Sequence, residues 1–337
     1  MKFCPPFLIA EIGVNHECKM DLAIRQIEEA SEAGANAVKF QTYRAETLAS
    51  VNSPAYWDTS KEPTNTQYQL FKKHDKFWKK DFEKLKEHCD KVGVEFLSTP
   101  FDQESAVFLN DLMEVFKISS SDITNKPFIQ FISAFDKPIL LSTGASTLSE
   151  IESSIEWFEK ANPFALMHCV LCYPTPDEEA NLAMIKGLKA KFPGICIGYS
   201  DHTLPGDMKN LEVAFLLGAT ILEKHFTHDK TLPGNDHYHS MDKTDLKLLK
   251  NNLQKVISIL GSEKKQPLDA EKSARENARR SLVASQFIPA GKQIEIGDIT
   301  WKRPAHGISP ADIDLVLTMK ANRKIQKDEI LFWNFLD

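Results

Sequence analysis

Four of the chain's ten histidines fall in one stretch, EKHFTHDKTLPGNDHYHSMD, between Glu223 and Asp242. Imidazoles mixed with carboxylates are donors for a divalent metal. Of the four, His225 closes an apolar run, TILEKHF, and so stands at the end of a strand. His202 follows the preceding apolar run, CIGYSD, which places His202 and His225 on neighbouring strand ends as the expected metal pair. His228 falls further along, in a loop, and is expected in solvent. His237 and His239 flank Tyr238 in a loop that reads as pocket wall or surface rather than as ligands. Asp236 follows Pro233-Gly234, a turn that can aim its carboxylate back at the site. A second set is spread along the chain. Glu11, Lys39, Gln41, Thr99, Lys117, Ser142, Ser200 and Glu223 each close or nearly close an apolar run, where a core would not choose them. Two ammonium groups with several hydroxyls suit a phosphate, or a phosphate with a carboxylate. Cys169 and Cys172 have the C-x-x-C spacing, but no second pair follows, and a buried or strand-end role is expected.

Elements that could hold these residues recur along the chain. The apolar runs are 7–11, 37–41, 94–99, 115–119, 138–142, 164–169, 196–201 and 220–226, and amphipathic segments lie between them. In 22–34, Leu22, Ala23, Gln26, Ile27, Ala30 and Ala33 share one helical face and Gly34 stops the helix. The segment 82–93 ends in glycine in the same way. Such alternation gives an α/β fold with parallel strands and helical crossovers. Eight units in about 250 residues fit a TIM (β/α)8 barrel, whose C-terminal strand ends share one face. The open doubly wound sheet is disfavoured because no G-x-G-x-x-G follows the first strand. The connection from Thr42 to Trp78 is too long for a plain βα loop, and such loops are usually lids or binding loops.

The barrel is expected over 1–260 and a polar linker over 261–277. The remainder, 278–337, reads as a small, loop-rich β domain, with β-like runs at SLVAS, QIEI, ITWKR and ILFW. Hydrophobic residues make up 42% and charged residues 26% of the 337, an ordinary soluble profile. The net charge of −6 argues against nucleic acid as a partner. No apolar run approaches the roughly 20 residues of a membrane span. The first residues, broken by Pro5, Pro6 and Glu11, do not read as a signal peptide. A cytoplasmic protein with its six cysteines reduced is expected.

The motifs AEIGVNH (10–16), VKFQT (38–42), FLSTPFD (96–102), FKISSSD (116–122), LSTG (141–144), GYSDHT (198–203), EKHFT (223–227), PGND (233–236) and KRPAHGISP (302–310) follow one another along nearly the whole chain. Together with HC..CYPTP (168–176), they make the chain resemble the sialic acid (N-acetylneuraminate) synthases. Its tail resembles their antifreeze-like, or SAF, domain. The resemblance implies condensation of phosphoenolpyruvate with an N-acetylated hexosamine, N-acetylmannosamine or similar, to a sialic-acid-type sugar acid plus phosphate. It implies a divalent ion, manganese in the first place with magnesium or cobalt as alternatives, on His202 and His225. Lys39, Gln41, Thr99, Lys117, Ser120, Ser142 and Ser200 would cradle phosphoenolpyruvate. Glu11 would be the acid/base, with Glu223 beside the metal pocket as a second catalytic carboxylate. Tyr173, Asp236 and Arg303 would bind the acceptor, the arginine crossing to the other subunit of a domain-swapped homodimer. Two departures fall where the acceptor should lie. Ser121-Asp122 stands where the family usually has a glycine and an acid. If Asp122 contacts the sugar, its reach is shorter than glutamate's by one methylene, about 1.5 Å. HYHSMD follows where relatives often carry smaller residues.

Three rival readings are a sister synthase for a legionaminic-type or other surface or spore sugar, a metal-dependent aldolase or lyase, and an ice- or carbohydrate-binding protein. The aldolase leaves the Lys/Ser/Thr set without a use. Ice binding wants a weakly charged face, which a tail with Arg279, Arg280, Lys292, Lys302 and Arg303 does not offer.

Overall fold

The computed structural model of the chain describes residues 4–158, 162–234 and 236–337. Eight strands alternate with helices: β1 (Phe7–Gly13), β2 (Ala37–Thr42), β3 (Glu95–Pro100), β4 (Phe116–Ile118), β5 (Ile139–Ser142), β6 (Phe164–Cys169), β7 (Cys196–Asp201) and β8 (Ile221–His225). Every hydrogen-bonded pair of neighbours among them is parallel. The order is β3-β2-β1-β8-β7-β6-β5-β4, and the two end strands, β3 and β4, lie against each other. The sheet thus nearly closes on itself, as the run-and-helix alternation required, into a (β/α)8 barrel.

The helices cover the barrel with the faces their periodicity marks. In Met20–Ala33 the buried residues are Ala23, Gln26, Ile27, Ala30 and Ala33, while Leu22 is only half-buried. Gly34 ends that helix in the left-handed region, with φ 94°. In Lys79–Val92 the buried residues are Phe82, Leu85 and Cys89. Inside the strands the period is two. Ile9, Ala37, Leu97, Leu140 and Met167 form a separate buried cluster, with Val115 and Ile221 packed against it. Val38, Phe40, Phe96 and Ile118 point the other way, into the main core with the helices.

Residues 262–337 form a second compact unit. The charged stretch that opens it is exposed, and it is not wholly extended: Asp269–Glu271 is a 3-10 turn and Lys272–Asn277 a short helix. Two antiparallel strands follow, β9 (Ser281–Ala284) and β10 (Ile299–Lys302), over a core that includes Leu282, Ile288, Val316 and Leu331. QIEI does not become a strand. The buried Asp298 carboxylate takes the Glu295 backbone N–H at 3.0 Å, Lys292 Nζ at 2.5 Å and Gln286 Nε2 at 2.8 Å, closing a turn over Ile296–Asp298. Satisfying that carboxylate outweighs the local strand preference. ILFW likewise keeps only one bridge, Ile330 to Val283, before a turn at Trp333–Phe335. Among the described residues no helix is long and apolar enough to cross a membrane.

Candidate active site

Two residues beyond the apolar cluster, the same strands turn polar toward the barrel interior. Glu11, Lys39, Thr99, Lys117, Ser142, Ser200 and Glu223 line a small chamber of about 60 Å³, and Ser120, Tyr173, His202 and His225 complete much of its wall. Two ion pairs make its floor. Lys39 Nζ contacts Glu11 Oε2 directly and lies 3.7 Å from Glu223 Oε1. Lys117 Nζ is held by both Glu223 oxygens, at 2.8 and 2.9 Å. Ser200 Oγ donates to Glu223 at 2.9 Å, and Lys39 donates to Thr99 Oγ1 at 3.1 Å. All four charged residues are buried.

Backbone detail aims these groups. The β1–β2 register shifts between Glu11 and Gly13, and Gly13 has φ 56°. A Cβ there would press on Glu11 Oε1 and Gln41 Nε2, both at 3.3 Å. Glycine therefore lets Gln41 donate to Glu11 at 3.2 Å. Gly144 comes close enough to donate its N–H to Ser120 Oγ at 2.9 Å, an approach a side chain would block.

Electrostatics separates the two carboxylates. Burial pushes both up. At Glu223 the two lysines overcome burial and hold the carboxyl at about 2. At Glu11 burial, helped by the Glu223 charge, outweighs Lys39 and leaves the pKa raised. Glu223 is thus a fixed anion and Glu11 the carboxyl able to exchange a proton.

His202 and His225 face each other with ring centres 5.4 Å apart. His202 Nδ1 lies 2.8 Å from the Val170 carbonyl, which can only accept, so Nδ1 carries the proton and Nε2 the lone pair. Burial lowers the His202 pKa to about 4 and holds that of His225 well below its ordinary value, so both rings are neutral donors. His225 Nδ1 is a buried nitrogen with no hydrogen-bond partner, which fits a metal ligand. Cys169 is a thiol, pushed up to about 11 mainly by burial, with Sγ 3.7 Å from His202 Nδ1; Cys172 is exposed.

Above the chamber opens a cavity of about 630 Å³, within the range of small-molecule sites. Gln41, Phe101, Ser119, Leu171, Tyr173 and His225 border both spaces. The long 42–78 connection forms one wall through Tyr43, Tyr56, Trp57, Glu62, Phe71 and Lys73. Asp122 and Asp236 also line the cavity; burial raises Asp122, and burial with the Glu11 charge pushes Asp236 up to about 7. Glu62 and Lys73 are bonded at 2.5 Å.

Two positions, His228 and His239, differ from the sequence reading. His228 is half-buried and contacts Gln26 Nε2 through Nδ1 at 2.9 Å, because the buried Gln26 of the first helix needs a polar partner. His239 is fully buried, with its ring 5.1 Å from that of His225. His237 is a wall residue, held by Thr227 Oγ1 at 2.8 Å. Arg303 lies exposed in the second unit. Sequence reasoning missed Glu62 and Lys73 as individual wall residues, for which the length of their loop was the only signal.

The chain matches the NeuB family over residues 26–265 and the SAF domain over residues 279–337. It is 37% identical to an N,N'-diacetyllegionaminic acid synthase of Campylobacter jejuni, over 96% of this chain and 98% of that protein. It is 31% identical to the human N-acetylneuraminate-9-phosphate synthase, over 99% of this chain and 93% of the relative. The structure superposes on a crystallised N-acetylneuraminic acid synthetase from Leptospira borgpetersenii with a TM-score of 0.72 and 37% identity, covering 80% of this chain and 90% of that one.

Proposed function

The chain belongs to the NeuB family of sugar-acid synthases, and on that footing we propose that it condenses phosphoenolpyruvate with an uncharged N-acetylated hexosamine, giving a nonulosonic acid and phosphate. The observation that carries the reading is the pair of buried lysines, each neutralised by a carboxylate, beneath a large neutral-to-acidic cavity. The small anionic substrate belongs on Lys39 and Lys117, where Thr99, Ser120, Ser142 and Ser200 add neutral donors. The acceptor belongs in the larger space.

The wall of that space favours an acceptor without a phosphate. Its described carboxylates are Glu17, Glu62, Asp122 and Asp236, against one ammonium, Lys73, already committed to Glu62. Phosphate recognition calls for Arg or Lys free to bind it. Tyr56, Trp57 and Phe71 offer apolar faces to a sugar, and the carboxylates accept from hydroxyl and amide N–H groups.

In the reaction, C3 of phosphoenolpyruvate bonds to the aldehyde carbon of the open-chain sugar, and the aldehyde oxygen takes a proton from Glu11. Water adds to C2, and phosphate leaves from that carbon to give the 2-keto acid. A divalent ion on His202 and His225 would supply Lewis acidity toward the aldehyde and a more acidic water. Glu223 stays ionised and fixes the Lys117 ammonium. Tyr173, its ring 4.2 Å from that of His202, excludes water from that side.

The test is phosphate release with phosphoenolpyruvate, Mn²⁺ and a panel of acceptors: N-acetylmannosamine, its 6-phosphate, N-acetylglucosamine and an N,N'-diacetylated hexose. Release that needs an uncharged acceptor, with a sugar acid as product, is expected. No acceptor-dependent release would overturn the reaction, and a preference for the 6-phosphate would overturn the acceptor class. Cleavage of a sugar acid without phosphate would point to an aldolase.

A further inference from the structure

His225, Asp236 and His239 form the one group of three metal-ligating residue types among the described residues whose ligand atoms converge, one from each lying within 4.8 Å of the others. Two donors on opposite sides of one ion, each about 2.1 Å from it, are about 4.2 Å apart. Three donors on one ion would stand closer than that, so closing on it needs a further approach of these side chains, all of which are buried.

The turn that carries His239 is built onto the end of β8. Met241 N–H donates to the His225 carbonyl at 2.8 Å, and Thr227 N–H donates to the Met241 carbonyl at 2.9 Å. Asn15 Nδ2 joins both sides, donating to the Phe226 carbonyl at 2.9 Å and to Ser240 Oγ at 3.0 Å. Ser240 Oγ in turn donates to the Asp236 carbonyl at 2.5 Å. Asp236 Oδ2 lies 3.7 Å from His225 Nδ1, and Asp236 Oδ1 lies 3.9 Å from His239 Nε2. His237 is turned the other way, toward Thr227 and Glu17.

The geometry points to His239 as a third imidazole ligand of the divalent ion assigned above to His202 and His225, with Asp236 as its carboxylate. This rests on that metal reading and extends it. The chemical consequence concerns which metal is held. Two imidazoles with oxygen donors serve Mn²⁺ or Mg²⁺, whereas a third imidazole moves the site toward Co²⁺ and Zn²⁺.

Cobalt alone serves as the probe, with no substrate and no turnover. Full-length wild type, His239→Ala, His239→Gln, His202→Ala and the surface control His88→Ala are stripped of metal and titrated with Co²⁺. Visible absorption reports the ligand field, and competition with a chelating dye gives Kd. His239→Ala and His239→Gln should each weaken Co²⁺ by about tenfold or more and shift the visible bands, with His88→Ala matching wild type. The ratio of Mn²⁺ to Co²⁺ Kd should fall by about the same factor in both His239 variants. Wild-type Kd and spectrum in a folded His239 variant, alongside loss of binding in His202→Ala, would overturn the third ligand and leave the pair standing. No Co²⁺ binding by wild type would overturn both. His239→Gln covers the case in which the alanine variant fails to fold.

Discussion

Glu223→Gln keeps the shape of the side chain and removes its charge, so it tests the buried floor of the site with little change in packing. In the wild type, Lys117 Nζ lies 2.8 and 2.9 Å from the two Glu223 oxygens, and the lysine is 4% exposed. Burial alone pushes the Lys117 pKa down, and Glu223 is the main group opposing it. Removing one member of such a pair leaves an uncompensated charge and costs about 3–5 kcal/mol. At roughly 2 °C per kcal/mol for a domain of this size, Tm should fall by about 6–10 °C. The deficit should shrink toward pH 9. A lysine with a lowered folded pKa sheds its proton first in the folded state, so the unfolded state binds more protons and stability rises with pH. The double variant Lys117→Met/Glu223→Gln should be clearly more stable than the sum of the singles implies. Thermal unfolding by circular dichroism at pH 7 and 9 makes the measurement. A deficit under about 1 kcal/mol, or singles that add to within about 0.5 kcal/mol, would refute the reasoning.

Lys39→Met should raise KM for phosphoenolpyruvate at least about tenfold while the acceptor KM stays within about twofold; steady-state kinetics with each substrate varied decides it, and the opposite pattern would exchange the two pockets. Glu11→Gln should lower kcat by about 10²–10⁴ while phosphoenolpyruvate binding, read by calorimetry, persists. His16, stacked on Phe77 at 4.6 Å, has its pKa lowered to about 3 chiefly by burial, so its neutral form favours folding fully above about pH 6.5 and less as pH falls toward 3. His16→Gln should therefore flatten the drop in urea midpoint between pH 6.5 and 5. Arg303→Ala and Glu11→Gln, each inactive alone, should recover activity after subunit exchange if the arginine serves a partner's barrel; verified exchange without recovery would sink that assignment.

The inner chamber was legible in the sequence because barrel strands have a strict period of two. Residues closing apolar runs, such as Glu11, Lys39, Lys117 and Glu223, can only be the next inward positions above a core layer. The outer cavity obeys no period. Tyr56, Trp57, Glu62 and Lys73 come from an irregular loop, whose path depends on contacts such as the Trp57 indole N–H donating to the Glu62 carbonyl at 3.0 Å. His239 was hidden for the same reason. Two histidines flank Tyr238 symmetrically in sequence, and only the bonds from Asn15 and Met241 decide that His239 turns toward His225 while His237 turns away. In the tail, QIEI read as a strand because its apolar residues alternate. The outcome depended on Asp298, whose burial no pattern of neighbours announces.

The same period would give the two proposed substrates different surroundings. Ile9, Ala37, Leu97, Leu140, Met167 and Ile221 make the apolar layer. Two positions on, Glu11, Lys39, Thr99, Ser142, Cys169 and Glu223 make the charged one. Two further on come Gly13, Gln41, Phe101, Gly144, Leu171 and His225, four of which border both the chamber and the cavity. Each step up the strands thus changes the chemistry: dry packing, then fixed charge, then neutral donors and the histidines proposed to hold the metal. A small anion reaches the charged layer only past the neutral one. A sugar would sit in the larger space, at the level of His225. The bond-forming carbons would then meet where the charged layer gives way to the imidazoles, with Glu11 on one side of that boundary and His225 on the other. A barrel with Glu11 or His225 moved one residue along its strand would turn that side chain out toward the helices and lose the meeting point without losing the fold.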